Sequence, residues 1–445
     1  MMEKTKINLI TLGCPKNLVD SELIAGSLFK DGYFFTGSPH LADFIVINTC
    51  AFIEPALKES EEKILEVCKN KRNNQKIIVC GCLPQLKRKK LFEKFPEIDV
   101  LLGSSDFPKI NNIIKNLKNK KYVFSVGRPS FIYSCSNARA ISTGSSGYAY
   151  IKISEGCDNR CHYCLIPKLR GKFRSRKIED IVEEAKVLAG SGIKEIILIA
   201  QDTTLYGYDI YNGKFMLSVL LEKLSLIDGL HWIRILYTHP AHFTDGIIKT
   251  IKEIDKVCKY VDIPIQHTCD DILKKMGRPE SKVIFKTIEK LRNSVPDITL
   301  RTTVMVGFPG ESDAHFKKLL NDIRKLEFDW LGCFEYYKQK GTKAYKLKDD
   351  VKKTIKESRK YELLKLQKEI TYRKNKVKLG KIWNVLVENN KFGHSEFQAP
   401  EIDGRIIVKV KNTKIKISPG NILPIKFEKI DKTYDIIGTP ASVPK

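Results

Sequence analysis

The sequence has fewer acidic than basic residues, and it lacks the features that carry a chain into a membrane or out of the cell. It contains no run of about 18 apolar residues, so no transmembrane helix is expected. Its N-terminal segment has no apolar core before a small-residue cleavage site, which argues against a secretory signal. We therefore expect a cytoplasmic protein with reduced thiols, whose clustered cysteines bind metal or do redox work.

The 78 basic residues outnumber the 52 acidic residues, which gives a formal net charge of +26. An excess this large is typical of proteins with a polyanionic partner, because Lys and Arg make the contacts to phosphate. Lysine is also spread along the whole chain, and a compositional habit of the source would produce the same balance. Charge bears on association and not on fold, so both interpretations stay open.

The chain is long enough for two to four domains, since it has 445 residues. Residues 1–120 alternate β-branched strand patterns with helical patterns, which predicts an N-terminal parallel α/β sheet domain covered on both faces. The predicted strands are residues 7–10, 44–48, 76–79 and 100–102. Residues 121–146 lack periodicity and are predicted to be a linker.

Two further domains are expected after the linker. Residues 147–374 contain six strand candidates separated by helical patterns, which predicts an incomplete (β/α)6 barrel and a final charged helix. Those strands are residues 148–153, 195–200, 232–236, 260–265, 298–306 and 328–334. Residues 375–445 show short alternating stretches punctuated by glycine, which is typical of a small antiparallel β-barrel. The fold class is therefore α/β with an added C-terminal β-barrel.

The most informative motif is a cysteine triad, Cys157, Cys161 and Cys164, with the spacing C-x3-C-x2-C. It follows the first strand of the predicted barrel, at the end where barrel enzymes place their chemistry. Three thiolates suit a [4Fe–4S] cubane with one open iron, whereas structural zinc sites use four ligands. The open iron can chelate S-adenosylmethionine (SAM), so we predict a radical SAM enzyme. Tyr163 is expected to shield the cluster.

A second set of cysteines lies in the N-terminal domain. Cys14, Cys50 and Cys82 each follow a different predicted strand. Because the carboxyl ends of parallel strands meet at one edge of a sheet, these thiols are expected to lie together and to bind a second [4Fe–4S] cluster. Each could instead be a packing residue, because free cysteine is often buried.

These motifs resemble the methylthiotransferase family over essentially the whole chain. The N-terminal motifs resemble the family's amino-terminal domain, the central ones resemble its radical core, and the C-terminal barrel resembles its TRAM domain. The motifs are residues 13–17, 20–22, 48–53, 81–83, 153–157, 169–171 and 174–176. Residues 200–204, 232–237 and 399–404 are similar to the RimO-type branch, whereas Thr238-His239 and Thr268-Cys269 depart from its pattern.

The resemblance implies an activity and a set of partners. RimO-type enzymes insert a methylthio group at the β-carbon of an aspartate in small-subunit ribosomal protein twelve. The resemblance implies two SAM molecules per turnover, an auxiliary cluster on Cys14, Cys50 and Cys82 that carries sulfur, an electron donor and a sulfur source. It also implies a substrate on or near the ribosome. A β C–H bond is too inert for acid–base chemistry, which is why a cofactor radical is required.

Several other residues are candidates for the SAM pocket. Gln201 and Asp202 end the second barrel strand, and Gly307 follows the fifth. Gly307 could equally begin a tight turn that caps the next helix. Arg301 on the fifth strand could reach the SAM carboxylate, or could be an inward-facing arginine paired with Asp or Glu.

Two alternative functions remain open from the sequence. The tRNA-adenosine branch of the family is one, although Glu396, Glu401 and Asp403 interrupt the lysine pattern of the C-terminal barrel, which suits a basic protein partner better than RNA. A non-enzymatic electron-transfer or RNA-binding module is the other. It predicts that SAM is not cleaved under reducing conditions.

Overall fold

The computed structural model describes residues 5–117, 122–409 and 417–441. It forms two compact units. The first comprises Met1–Ser142, Lys152–Asn159 and Cys164–Ile181, and the second comprises Thr143–Ile151, Arg160–Tyr163 and Val182–Lys445. None of the helices in the described ranges is long and apolar enough to cross a membrane.

The first unit contains a six-stranded sheet in the order β2-β1-β3-β4-β5-β6, and all of its pairings are parallel. The strands are β1 Lys6–Thr11, β2 Phe34–Phe35, β3 Phe44–Thr49, β4 Lys76–Gly81, β5 Val100–Leu102 and β6 Val123–Ser125. The helices between them are α1 Pro15–Lys30, α2 Glu54–Lys69, α3 Cys82–Lys87, α4 Lys90–Lys94 and α5 Ile110–Asn116. The predicted parallel sheet is confirmed.

Two strands of this sheet have no counterpart in the sequence prediction. β2 is two exposed residues long, too short for a hydrophobic period to be visible. β6 lies in the segment predicted to be a linker, and it extends the sheet by pairing with β5. The first unit also includes the short antiparallel pair of β8 Ser154–Glu155 and β9 Arg174–Ser175, and helix α6 Ile166–Leu169.

The second unit contains the predicted incomplete barrel. Its sheet has the order β14-β13-β12-β11-β10-β7, and parallel pairings link β10 through to β14. The strands are β7 Tyr148–Lys152, β10 Glu195–Ile199, β11 Trp232–Ile235, β12 Val257–Asp262, β13 Thr299–Val306 and β14 Trp330–Glu335. The accompanying helices are α7 Ile178–Gly190, α8 Leu217–Ser225, α9 Asp245–Glu253, α10 Asp270–Met276, α11 Ser281–Ser294 and α12 Asp313–Leu326.

The long charged helix is confirmed as α13 Lys353–Lys376. A closed barrel follows it, in the order β15-β16-β17-β19-β18. Its strands are β15 Ile382–Val387, β16 Phe392–His394, β17 Ile406–Val408, β18 Ile422–Ile430 and β19 Ile436–Pro440. β17 and β19 pair in parallel, whereas the other pairings are antiparallel as predicted. The stretch expected around residue 415 lies outside the described residues.

The loop between β16 and β17 reaches into the interior of the central barrel. Arg234 donates hydrogen bonds to the carbonyls of Ser395 and Glu396, and Trp330 donates to that of Phe397. The loop acid Asp403 accepts a hydrogen bond from the Tyr260 hydroxyl at 2.6 Å. The C-terminal barrel therefore completes the hydrogen bonding of polar groups buried in the central barrel.

Candidate functional site: two sets of cysteines and a histidine pair

The N-terminal cysteines lie at the carboxyl ends of three neighbouring strands. Cys14 precedes α1, Cys50 follows β3, and Cys82 follows β4 as the first residue of α3. The packing of their loops is tight, since a Cβ added at Gly13 would lie 2.6 Å from Cβ and 3.0 Å from Sγ of Cys50. This packing brings the loop before Cys14 against Cys50, and the binding of one cluster by all three thiols stays a prediction.

The thiols influence one another electrostatically. Burial raises the pKa of the Cys50 thiol to about 12, and the negative charges of Cys82 and Cys14 act in the same direction. Burial also raises the pKa of Cys82, which the guanidinium of Arg170 opposes. Thiols in such a place stay protonated unless a cation stabilises the thiolates, and an iron–sulfur core is such a cation. Three thiols suit a cubane with one open iron.

Two glycines explain how the loops approach one another. Gly13 has φ +96° and Gly81 has φ +94°, in the region that glycine adopts without strain. A Cβ at Gly81 would lie 2.5 Å from Oδ1 of Asn48 and 2.7 Å from the carbonyl oxygen of Thr49. A side chain at this position would therefore push apart the loops that carry Cys50 and Cys82.

Asn17 ties the cysteine loops together. Its Nδ2 donates to the carbonyl oxygens of Leu12 and Thr49, each at 2.9 Å. Its own carbonyl oxygen accepts from Nδ2 of Asn48 at 2.9 Å. Because Asn17 is buried, these bonds fix the loops before Cys14 and Cys50 against α1.

Arg170 joins this scaffold from the segment that follows the central triad. It donates to Oδ1 of Asn17 and to Oδ2 of Asp20, the latter at 2.6 Å. Lys152 also binds Asp20, at 2.5 Å, and it binds Glu155 at 2.6 Å. Two buried acids and two buried bases thus balance within the first unit, which buried charges require.

The central triad lies in the loop that follows β7 and β8. In the first unit, the Cys157 amide donates to the carbonyl of Gly171 at 3.2 Å, and Sγ of Cys164 accepts from the Ile166 amide at 3.4 Å. In the second unit, Sγ of Cys161 accepts from Nη1 of Arg278 at 3.7 Å. Hydrogen bonds to sulfur from an amide and a guanidinium are the partners expected for thiolate ligands.

Tyr163 lies in the second unit, as do the other SAM-pocket candidates. It packs at the edge of a buried cluster that includes Met276, Phe308 and Tyr336. An apolar wall beside Cys161 fits the predicted shielding of a cluster. The binding of SAM by Tyr163 stays a prediction.

Gly307 and Arg301 have identifiable protein partners. The Gly307 amide donates to Oε2 of Glu311 at 2.8 Å within a turn that precedes α12. Arg301 binds Oδ1 of Asp262 at 2.9 Å and Oδ1 of Asp403 at 3.2 Å. The Gly307 contact matches the alternative of a tight turn before the next helix. The Arg301 contacts match the alternative of an inward-facing arginine paired with Asp or Glu. Direct contacts of Gly307 and Arg301 with SAM stay predictions.

Gln201 and Asp202 follow β10, as predicted. Asp202 is 1% exposed, and Oδ2 lies 2.8 Å from Nδ1 of His242. Burial opposes ionisation, but the hydrogen bond from His242 and the charges of His239 and His242 lower the pKa of Asp202 to about 2. Asp202 therefore lies in a cluster with two histidines.

Sequence reasoning missed several residues of these sites: Asn17, Asp20, Lys152, Arg170, His239, His242 and Arg278. Four of them lie in or beside the quoted motifs and His239 lies in a dipeptide that departs from the family pattern, so the signal was present. Their partners are distant in sequence, as for Asp20 and Arg170, and no local period reveals such pairs. His242 and Arg278 carried no signal by themselves.

The chain matches two family models. Residues 151–323 match the radical SAM superfamily, and residues 6–103 match the uncharacterized protein family UPF0004. Among solved structures, the radical SAM methyltransferase TsrM of Kitasatospora setae superposes with a TM-score of 0.55 at 13% identity, covering 75% of each chain. This likeness shows a shared fold.

Curated relatives match over nearly the whole chain. The ribosomal protein uS12 methylthiotransferase RimO of Clostridium kluyveri is 46% identical, covering 98% of each chain. Proteins of the same name from Acetivibrio thermocellus and a Thermoanaerobacter species are 46% and 43% identical, covering 98% and 97% of this chain.

Proposed function

The chain belongs to the RimO family of radical SAM methylthiotransferases, and on this premise we propose that it inserts a methylthio group at the β-carbon of an aspartate in ribosomal protein uS12. Enzymes of this family use SAM and [4Fe–4S] clusters. The uS12 substrate is the one named for relatives that match this chain end to end.

The observation that carries the proposal is the second set of thiols. A radical generator needs one cysteine triad, and this chain has a further three thiols at one edge of a separate sheet. Those thiols are buried or next to buried groups and are braced by Asn17 and Arg170. A second cluster site is what a sulfur-inserting enzyme needs in addition to a radical.

Each set of cysteines has a separate role in the proposed reaction. Cys157, Cys161 and Cys164 would hold one cluster, and Cys14, Cys50 and Cys82 would hold the other. When bound, the clusters supply the electron that cleaves SAM to a 5′-deoxyadenosyl radical and the sulfur that is transferred. The protein contributes position and a dry cavity, with Arg278 donating to the sulfur of Cys161 and Tyr163 contributing apolar surface.

We place SAM at the carboxyl ends of the barrel strands, with Tyr163, Gln201 and Gly307 among its neighbours. Asp202 and Arg301 are further candidates for the SAM pocket, and their charged groups also bind His242 and two aspartates respectively. We further propose two SAM molecules per turnover, an external electron donor and a sulfur source. The reaction would take place in the cytoplasm, on or near the ribosome.

The direct test is the mass of uS12 in cells. A host that lacks its own enzyme would be supplied with this chain, with its Cys50→Ala variant or with its Cys135→Ala variant. Wild type and Cys135→Ala should raise the mass of uS12 by one methylthio group in place of hydrogen, and Cys50→Ala should not. Cys135 is an exposed cysteine outside both sets and serves as the control.

The result that would overturn the proposal is equally specific. If uS12 keeps its mass while a methylthio nucleoside appears in tRNA, the chain acts on tRNA adenosine. If neither changes and the reduced protein forms no 5′-deoxyadenosine, the radical assignment fails as well.

A further inference from the structure

Asp202, His239 and His242 form a polar cluster at the carboxyl ends of two adjacent strands. Asp202 follows β10, and the two histidines lie in a turn beyond β11, its parallel neighbour in the sheet. The ligand-type atoms of all three side chains lie within 4.8 Å of one another. This end of the strands is where barrel enzymes bind their substrates.

The hydrogen bonds of Asp202 fix the proton of His242. Oδ1 of Asp202 accepts from Oγ1 of Thr204 at 2.6 Å and from the Leu205 amide at 3.3 Å. Oδ2 is 2.8 Å from Nδ1 of His242. Because the pKa of Asp202 is lowered to about 2, the carboxylate is ionised and Nδ1 of His242 must be the donor. The other nitrogen of the His242 ring, Nε2, takes no part in this hydrogen bond.

In His239 the ring hydrogen lies on the other nitrogen, Nε2. Its Nδ1 accepts from the Ala241 amide at 3.3 Å, so the neutral ring carries its hydrogen on Nε2. Burial and the charge of Arg278 lower the pKa of His239 to about 2, which keeps the ring neutral. Its ring stacks on that of His242 with centroids 4.6 Å apart. Within the described ranges, neither Nε2 has a hydrogen-bond partner.

We propose that His239 and His242, braced by Asp202, bind a carboxylate, and that this carboxylate is the side chain of the target aspartate. His239 offers an N–H donor from Nε2 to one oxygen of the carboxylate, and the ring of His242, held by Asp202, stacks on it and fixes its position. The positive charge of Arg278 beside His239 favours an anion at this donor. The inference rests on the proposed function, which supplies an aspartate as substrate.

The position of Arg278 connects this cluster to the radical chemistry. Its Nη1 donates to Sγ of Cys161 at 3.7 Å, and its charge acts on both His239 and Asp202. A carboxylate held by the histidines would thus lie in the neighbourhood of the cysteine that binds the cluster. The carbon to be modified carries that carboxylate, so holding it there positions the reacting C–H bond.

A metal ion is the competing occupant, and the geometry disfavours it. The Ala241 amide occupies Nδ1 of His239 and leaves the hydrogen on Nε2, whereas a metal ligand must present a lone pair there. The cluster has one carboxylate, and the guanidinium of Arg278 adds positive charge beside it. These features attract an anion rather than a divalent cation.

The test uses variants that remove one ring atom each. His242→Asn keeps a donor near the position of Nδ1 for Asp202 and removes Nε2. His239→Asn keeps an acceptor for Ala241 and removes Nε2. His231→Asn, a substitution of an exposed histidine in the same unit, is the matched control. Each holoenzyme is assayed with a uS12 peptide that contains the target aspartate and with one that contains asparagine instead.

We expect each of the two site variants to raise the KM for the aspartate peptide at least about tenfold, the loss typical of a charge-assisted hydrogen bond. The ratio of methylthiolated product to 5′-deoxyadenosine should fall as well. Wild type should bind the aspartate peptide more tightly than the asparagine peptide, and His239→Asn should bind both alike. This loss of discrimination pairs His239 with the carboxylate itself.

Three results would overturn the inference. The first is an equal fall in 5′-deoxyadenosine and product, because the carboxylate is then that of SAM. The second is one equivalent of a divalent metal that disappears in the histidine variants. The third is unchanged discrimination between the peptides. A wild-type enzyme that modifies no uS12 peptide refutes the proposed function, whereas an active wild type with unaffected variants refutes only this inference.

Discussion

At the scale of single residues, the first unit depends on buried charges that are matched within it. Arg170 is 3% exposed, and it meets Asp20 and Asn17 while lying near Cys82. Removing one partner of a buried ion pair costs far more than removing an exposed one, because the remaining charge stays buried. The network therefore predicts a sharp contrast between buried and exposed positions.

The Arg170→Gln variant should destabilise the first unit by about 3–5 kcal/mol, because Asp20 and Glu155 lose a buried counter-charge. Chemical denaturation, followed by a probe attached to the first unit, measures the loss. Lys58→Gln, which removes an exposed pair with Glu62, is the control and should change stability little. Equal effects of the two substitutions would show that the buried network is not a structural support.

Glu311 makes the second unit sensitive to pH. Burial raises its pKa to about 7, although Arg359 and the Gly307 amide act in the opposite direction. The folded protein then binds more protons than the unfolded chain between pH 4.5, the ordinary pKa, and about 7. Stability from this group is therefore lost as the pH rises through that window.

The expected size of this contribution is about 3 kcal/mol between roughly pH 4.5 and 7. Glu311→Gln should flatten the fall in thermal midpoint over that window, and the exposed Glu253→Gln should leave it as in wild type. An equal fall of the thermal midpoint with pH in wild type and both variants would contradict the raised pKa of Glu311.

At the scale of secondary-structure elements, the sequence predicted what a local pattern can carry. The six barrel strands, α13 and four strands of the N-terminal sheet follow from runs of apolar residues. β2 and β6 were missed because a two-residue strand and a partly exposed three-residue strand have no period. The parallel pairing of β17 with β19 depends on tertiary order, which short alternating stretches do not specify.

In the cysteine-bearing loops, too, some features were predictable from the sequence and others were not. Cys14, Cys50 and Cys82 were predicted from their places after strands, because chain order alone fixes which end of a parallel sheet they occupy. The glycines before Cys14 and Cys82 are explained only by the structure, in which their left-handed backbones allow the loops to touch. The histidine cluster was not predicted, because a hydrogen bond joins Asp202 and His242 from the loops that follow two different strands.

Gly81→Ala should therefore cost the protein its N-terminal cluster. The added Cβ would lie 2.5 Å from Oδ1 of Asn48 in a backbone conformation that alanine rarely adopts. Iron and sulfide analysis of anaerobic preparations should show one cluster per chain instead of two. Gly190→Ala at the end of α7, where nothing lies within 4 Å, is the control and should retain both. Two clusters in Gly81→Ala would refute the role of this glycine.

At the scale of the whole molecule, the resemblance to RimO-type methylthiotransferases is confirmed, and so is the predicted α/β architecture with a C-terminal barrel. The C-terminal barrel is more than an appended binding module. Asp403, which the sequence suggested as a contact for a basic protein, instead pairs with Arg301 and with Tyr260 in the central barrel. The two parts of the second unit are therefore expected to unfold together.

Asp403→Ala should lower the stability of the central barrel by about 3 kcal/mol, because Arg301 loses one of its two acids and the buried Tyr260 hydroxyl loses its acceptor. Thermal unfolding followed by calorimetry would measure the change. Glu428→Ala, which alters an exposed acid on β18 of the same small barrel, should have little effect. A loss confined to the C-terminal barrel would contradict this coupling.

The central claim is that two cysteine sets do different jobs in one enzyme. The measurement that tests it most directly is a single assay of reduced enzyme with SAM and uS12, in which 5′-deoxyadenosine and methylthiolated uS12 are quantified together. Cys161→Ala should form neither compound. Cys50→Ala should form 5′-deoxyadenosine but no methylthiolated uS12. Methylthiolation by Cys50→Ala, or 5′-deoxyadenosine formation by Cys161→Ala, would contradict the claim.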